Sequence, residues 1–173
     1  MAHGMQTWNY DPSMSNGTSA PTQGTVYAVA VPYNQGQVVT YINFHTAVAA
    51  SGTAPTHIFC GLADSTGKML AQTGEEKSNA GWALPSNVVR TTLAAPYTIP
   101  VTGLYYHVFI QVGAFSVTQP TLNRVTGAPA FANASIPQVT GVTTGQSALP
   151  ANGSTIAGGI VITNSLRFWS GSE

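Results

Sequence analysis

Four histidines occur in this chain, His3, His45, His57 and His107. The last three fall on stretches that read as strands, and imidazoles from three strands could converge on a metal ion. No His-x-His or Cys-x-x-Cys spacing supports such a centre, so no metal and no cofactor is expected. Carboxylates are as sparse, with five Asp and Glu in 173 residues. Glycoside hydrolysis needs two of them flanking a sugar. Asp64 instead opens an Asp-Ser-Thr-Gly turn, where Asp has a structural task, and Glu75 and Glu76 stand in a polar loop. The single cysteine, Cys60, lies in the apolar run His57-Ile58-Phe59-Cys60-Gly61-Leu62 and reads as a small buried hydrophobe. No Gly-x-Ser-x-Gly elbow, phosphate loop or dinucleotide fingerprint is present. No catalytic residue can be named, and no enzyme is expected. Tyrosines offer another chemistry. Tyr27, Tyr33, Tyr41 and Tyr105 are expected on the sheet face opposite the core, where an aromatic body with a polar tip can stack on a glycan. Packing between sheets or subunits is the other use of such side chains.

The composition narrows the partners. Only 6% of the residues are charged and the formal net charge is zero, against about 25% charged in an ordinary domain. Without a basic patch, nucleic acid is not an expected ligand. A near-neutral surface also repels its own copies little. Hydrophobic residues reach 43%, enough for a real core. No apolar run approaches the roughly 18–20 residues of a membrane helix, and no secretory signal opens the chain. Either synthesis in a cytoplasm or a signal that this sequence does not include is expected.

These side chains must be positioned by strands. Residues 1–24 read as an N-terminal arm bearing Met5, Trp8, Tyr10 and Met14. Those four either fold back on their own domain or dock on a neighbouring subunit. From Thr25 the pattern has period two. Val26, Ala28 and Ala30 point one way, and Tyr27, Val29 and Val31 the other. In Gln37 to Thr46, Ile42 and Phe44 face one side while Tyr41, Asn43 and His45 face the opposite one. Thr56 to Ala63 and Lys68 to Thr73 form a hairpin about Asp64-Ser65-Thr66-Gly67. Gly74 to Ser86 reads as an exposed loop from which Trp82 folds back over the core. Val88 to Ala94 is a strand. Leu104, Tyr106, Val108, Ile110 and Val112 form the cleanest alternating set, which predicts a central strand. Gly113 to Gly158 has little periodicity; it holds short strands near Leu122 to Val125 and Ile136 to Val139, or drapes over a neighbour. Gly159 to Trp169 closes the chain as an apolar strand. About seven or eight short strands separated by turn signals imply an all-β fold. An antiparallel, jelly-roll-like β-sandwich over residues 25–173 is expected behind the arm.

Several of these segments resemble a known module: Val26-Tyr27-Ala28-Val29-Ala30-Val31-Pro32, the Cys60 to Thr73 hairpin, Pro96-Tyr97-Thr98-Ile99-Pro100, Gly103 to Val108 and Phe168-Trp169. In this order they are similar to the β-sandwich module of tailed-phage virion proteins, notably minor tail proteins of phages that infect actinobacteria. The resemblance spans roughly Thr25 to Trp169 and rests on fold-forming positions, so it implies a virion module and no chemistry. The expected role is a capsid decoration protein on the virion surface, anchored through Met5, Trp8, Tyr10 and Met14. The other role is a tail-associated module that binds a receptor or host cell-wall glycan. Other capsid or tail proteins are the expected partners. A homo-oligomer such as a trimer is expected too, because the edge strands lack the lysines and inward charges that keep sheets apart.

Overall fold

The computed structural model describes residues 5–9, 15–125, 140–156, 162–163 and 167–173. Two antiparallel sheets pack face to face as a β-sandwich. One sheet contains β1 (Thr7–Trp8), β2 (Gly17–Ser19), β4 (Val38–Val48), β7 (Asn87–Thr98), β9 (Thr121–Val125), β12 (Arg167–Phe168) and β13 (Ser170–Ser172). The other contains β3 (Thr25–Tyr33), β5 (His57–Ala63), β6 (Met69–Gln72), β8 (Gly103–Val112), β10 (Thr140–Thr143) and β11 (Ile162–Thr163). The chain passes repeatedly from one sheet to the other, which gives the jelly-roll-like character expected. The strands outnumber the expected seven or eight because the pieces at both chain ends are only two or three residues long. Segments that short show no periodicity.

The second sheet runs β11-β10-β3-β8-β5-β6, so β8 is central as its alternation predicted. Both faces of this sheet are buried. Tyr27, Val29, Val31, Tyr105 and Phe109 face the first sheet and pack with Ile42, Phe44, Val89, Leu122 and Phe168. Aromatic rings meet edge to face across the gap, Tyr27 with Phe168 at 5.0 Å and Phe44 with Phe109 at 5.5 Å. Val26, Ala28, Tyr106, Val108 and Ile110 line the outer face, under Leu149 and Ile156. Residues 144–156 therefore drape over this chain's own sheet. Their backbone is tied down by Gln146 N–H to the Gly24 carbonyl at 2.8 Å and Ile156 N–H to the Gly67 carbonyl at 3.0 Å. Within Gly113 to Gly158, β9 lies where a short strand was expected, whereas the expected strand at Ile136 to Val139 lies outside the described residues.

The β5–β6 hairpin forms about the expected turn. Asp64 Oδ1 accepts from the Thr66 N–H at 2.8 Å, the Thr66 hydroxyl at 2.6 Å and the Lys68 N–H at 3.1 Å, and Gly67 takes φ +83°. Trp82, in a 3-10 turn at Ala80–Ala83, is buried against Phe109 and donates from Nε1 to the Glu76 carbonyl at 3.0 Å. It closes the core as expected.

Edge strands are protected by neighbouring chain more than by charge. Residues 153–156 hydrogen-bond along the start of β6. On β7, the Asn79 amide donates to the Arg90 carbonyl at 2.8 Å, the Thr92 N–H donates to Glu76 Oε1 at 3.3 Å, and Pro96 interrupts the edge further on. These covers supply the edge protection that the charge-poor strands lack.

Gly61 on β5 marks a tight point. A Cβ there would stand 2.6 Å from the Met69 Cε and 2.8 Å from the Ala71 carbonyl oxygen. Substituting Gly61→Val should destabilise the fold by roughly 2–3 kcal/mol through overpacking against backbone; urea denaturation of the two proteins measures the difference.

Candidate functional site

The residues singled out by sequence separate into three places. Of the arm residues, Tyr10 and Met14 lie outside the described residues. Met5 and Trp8 do not project away from the domain. β1 pairs antiparallel with β13, Thr7 opposite Ser172 and Trp8 opposite Gly171. Asn9 then clamps the C-terminal strand: its N–H donates to the Ser170 carbonyl at 3.0 Å, its amide donates to the Phe168 carbonyl at 2.6 Å, and its Oδ1 accepts the Ser170 N–H at 3.0 Å. The Thr7 hydroxyl reaches across to the Pro32 carbonyl at 2.7 Å. Met5 comes up against Gly171, where an added Cβ would sit 3.0 Å from its sulfur. Of the two uses open to the arm, this part folds back on its own domain and still leaves Trp8 42% exposed.

The expected glycan tyrosines need correction. Tyr27, Tyr33 and Tyr105 are 3%, 2% and 7% exposed and belong to the core between the sheets. Burial removes them as glycan contacts. The alternation in β3 and β8 was correct, but both faces of that sheet are covered, so the side opposite Val26 and Val108 is interior as well. Only Tyr41 of the four faces outward.

Around Tyr41 the outer face of the first sheet forms a polar and aromatic strip. Register places Gly171, Asn43 and Arg90 in one row across β13, β4 and β7. The Arg90 guanidinium lies 3.5 Å from the Tyr41 ring centroid. It also pairs with Glu173 Oε2 at 2.7 Å, while the Asn43 amide donates to Glu173 Oε1 at 3.1 Å. In the next row, His45 meets the edge of Trp169 at 6.2 Å, and its Nδ1 accepts from the Asn123 amide at 2.7 Å. Burial lowers the His45 imidazole, keeping it neutral at neutral pH. Arg90, Glu173, Tyr41 and His45 are the reachable groups named in this strip, whereas Asn43 and Trp169 are buried. The sequence signal for it was the outward set Tyr41, Asn43 and His45; its partners on β7, β9 and β13 could not be read without register.

The three strand histidines do not converge. His45 is on the outer strip and His107 is in the core. His57 Nδ1 pairs with Glu75 Oε2 at 2.6 Å, while its ring stacks on Phe59 at 5.5 Å. Among the described residues no three His, Cys, Asp or Glu side chains gather as metal ligands. Cys60 is fully buried, and burial pushes its thiol up.

His107 sits in a buried relay that sequence reading missed. The Tyr33 hydroxyl is 2.6 Å from Nε2, Nδ1 is 2.6 Å from the Ser170 hydroxyl, and Ser170 Oγ donates to the Asn43 carbonyl at 3.0 Å. One arrangement places a proton in every gap. Tyr33 O–H donates to Nε2, Nδ1–H donates to Ser170 Oγ, and Ser170 O–H donates to the carbonyl oxygen. Burial holds the imidazole down at about 3 and raises the Tyr33 phenol, an effect that Ser172 partly offsets. A serine nucleophile must give its proton to an imidazole. In that arrangement Ser170 gives its proton to backbone, and the relay ties the two sheets together.

The loop carboxylates also serve the fold. Glu75 Oε1 accepts from the N–H groups of Ile58 at 2.8 Å and Lys77 at 3.1 Å. Partial burial would raise Glu75, but these bonds and His57 outweigh it and hold the carboxyl below the usual range. The stability Glu75 contributes is therefore present above its ordinary pKa and lost as pH falls through the lowered one. Glu75→Gln should cost up to about 1 kcal/mol at pH 7, since the group is exposed to solvent. The difference from the parent should narrow as pH falls below the ordinary carboxyl range, as read by urea denaturation across that range.

The chain matches no protein-family model and no curated protein.

Proposed function

We propose that this chain is a non-enzymatic structural protein of a phage virion, made in the host cytoplasm and displayed on the particle surface as a capsid decoration protein. The observation that carries this reading is Trp8. A large aromatic ring, 42% exposed, is held at a sheet edge by β1 amid a surface with almost no charge. A rigid aromatic anchor of this kind suits docking on another protein. The resemblance of the strands and the Asp64 hairpin to phage virion modules points to the same setting, and other capsid proteins are the proposed partners. Near-neutral copies can crowd on a lattice, and many weak contacts then add through multivalency. Trp8→Ser should leave the fold intact and reduce incorporation into particles at least tenfold, measured by quantitative mass spectrometry of purified virions. Finding the unaltered chain absent from purified virions would overturn the assignment.

A second reading has its own observation. The Tyr41, Arg90 and Glu173 strip presents an aromatic ring beside charged hydrogen-bonding groups, which is the chemistry of glycan recognition. On this reading the chain is a tail-associated module that binds host cell-wall glycan. Arg90→Ala should cost about 1 kcal/mol of stability or less, since the Arg90 side chain is about half exposed, and should weaken glycan binding at least tenfold on an array. An unaltered chain that binds no glycan on that array excludes it.

A further inference from the structure

Two of the connections described above meet at a single residue. Ser170 carries the relay on its hydroxyl and the Asn9 clamp on its backbone N–H and carbonyl. The His107 relay and the arm clamp therefore share one residue of β13.

Protonation changes the relay in a definite way. In the arrangement above Nε2 accepts from Tyr33; with a second proton it must donate instead, so the Tyr33 hydroxyl has to turn and the ring carries a full positive charge among buried groups. Among the described residues no counter-charge is at hand. β8 places Tyr105 beside Tyr33, but its hydroxyl donates to the Val101 carbonyl at 2.8 Å. β3 presents Val29 and Tyr33, β5 presents Leu62, and β13 presents Ser170 and Ser172. An imidazolium here would be fully buried and unpaired, which proteins avoid by opening. β13 is only three residues long and β1 two, whereas β3 and β8 pair along nine residues each. The short strands are the part that can give way without the rest.

We propose that Tyr33, His107 and Ser170 form an acid-sensitive latch, whose protonation frees β13 together with the N-terminal segment clamped on it while the β3–β8 sheet stays intact. The inference rests on the geometry and burial of the core and is independent of the virion reading. The direction follows from the imidazole, whose value of about 3 in the fold lies below its ordinary 6.5. Opening is then unaffected at neutral pH and favoured about tenfold per pH unit from about pH 6 downward.

Amide hydrogen exchange on the whole chain between pH 7 and pH 3.5 tests this. After correction for intrinsic rates, the opening constants at Gln6, Asn9 and Ser170 should rise about tenfold per pH unit, while amides of β3 and β8 stay protected. His107→Gln should flatten that rise. Should this variant not fold, the ring carbon shifts of His107 in the unaltered chain replace it, and they should titrate together with the loss of protection at Asn9. Uniform loss across both sheets, a flat pH profile, the same slope in His107→Gln, or a His107 ring that stays neutral while Asn9 opens would each overturn the latch.

Discussion

Strand β13 is gripped from every side. Its backbone pairs with β1 on one edge and β4 on the other, the Ser170 hydroxyl reaches the His107 imidazole of the opposite sheet, and the neighbouring Phe168 ring packs on Tyr27. Remove this three-residue strand and the first sheet loses its pairing with β1 and the hydroxyl that reaches His107 in the second sheet. The rest of the sandwich is arranged about that tie. The core aromatics Tyr27, Phe44, Phe109 and Phe168 fill the space beside it, and the apolar burial they provide is the larger stabilising term. The relay adds a polar tie between the two sheets.

A chain with so few charges must satisfy its polar groups by other means, and it does so locally. Asp64 binds its own turn, Glu75 and Glu76 bind backbone of their own loop and of the adjacent strands, and Asn79 and Asn9 each act as a bridge to a neighbouring strand. Carboxylates used this way are not poised for acid–base work. The same economy explains how exposed strand edges are handled. Where other sheets place lysine, this one lays its own loops along β6 and β7.

Much of the fold was legible. The alternation in β4 correctly separates Ile42 and Phe44 from Tyr41, Asn43 and His45, because one face of that strand packs on the second sheet and the other carries the outer strip. The Asp64 turn and the return of Trp82 were legible because each depends on local chemistry. The second sheet misled for the opposite reason. Its strands are apolar on both faces, so alternation identified the two sides without saying which faced the other sheet, and Tyr27, Tyr33 and Tyr105 were assigned outward. The cover for that sheet, residues 144–156, has no periodicity to read. It takes its shape from the surface beneath it.

The candidate site divides along the same line. By itself the sequence determined an all-β, charge-poor sandwich with tight turns and a scarcity of chemically active side chains, because these properties reside in composition and short-range pattern. Only the tertiary structure decided which of those side chains meet. His107 lies 63 residues from Ser170 and 74 from Tyr33, and Asn9 lies 161 residues from the amide of Ser170. Contacts that distant are set by strand register and sheet packing, which bring together residues that carry no mark of one another in the chain.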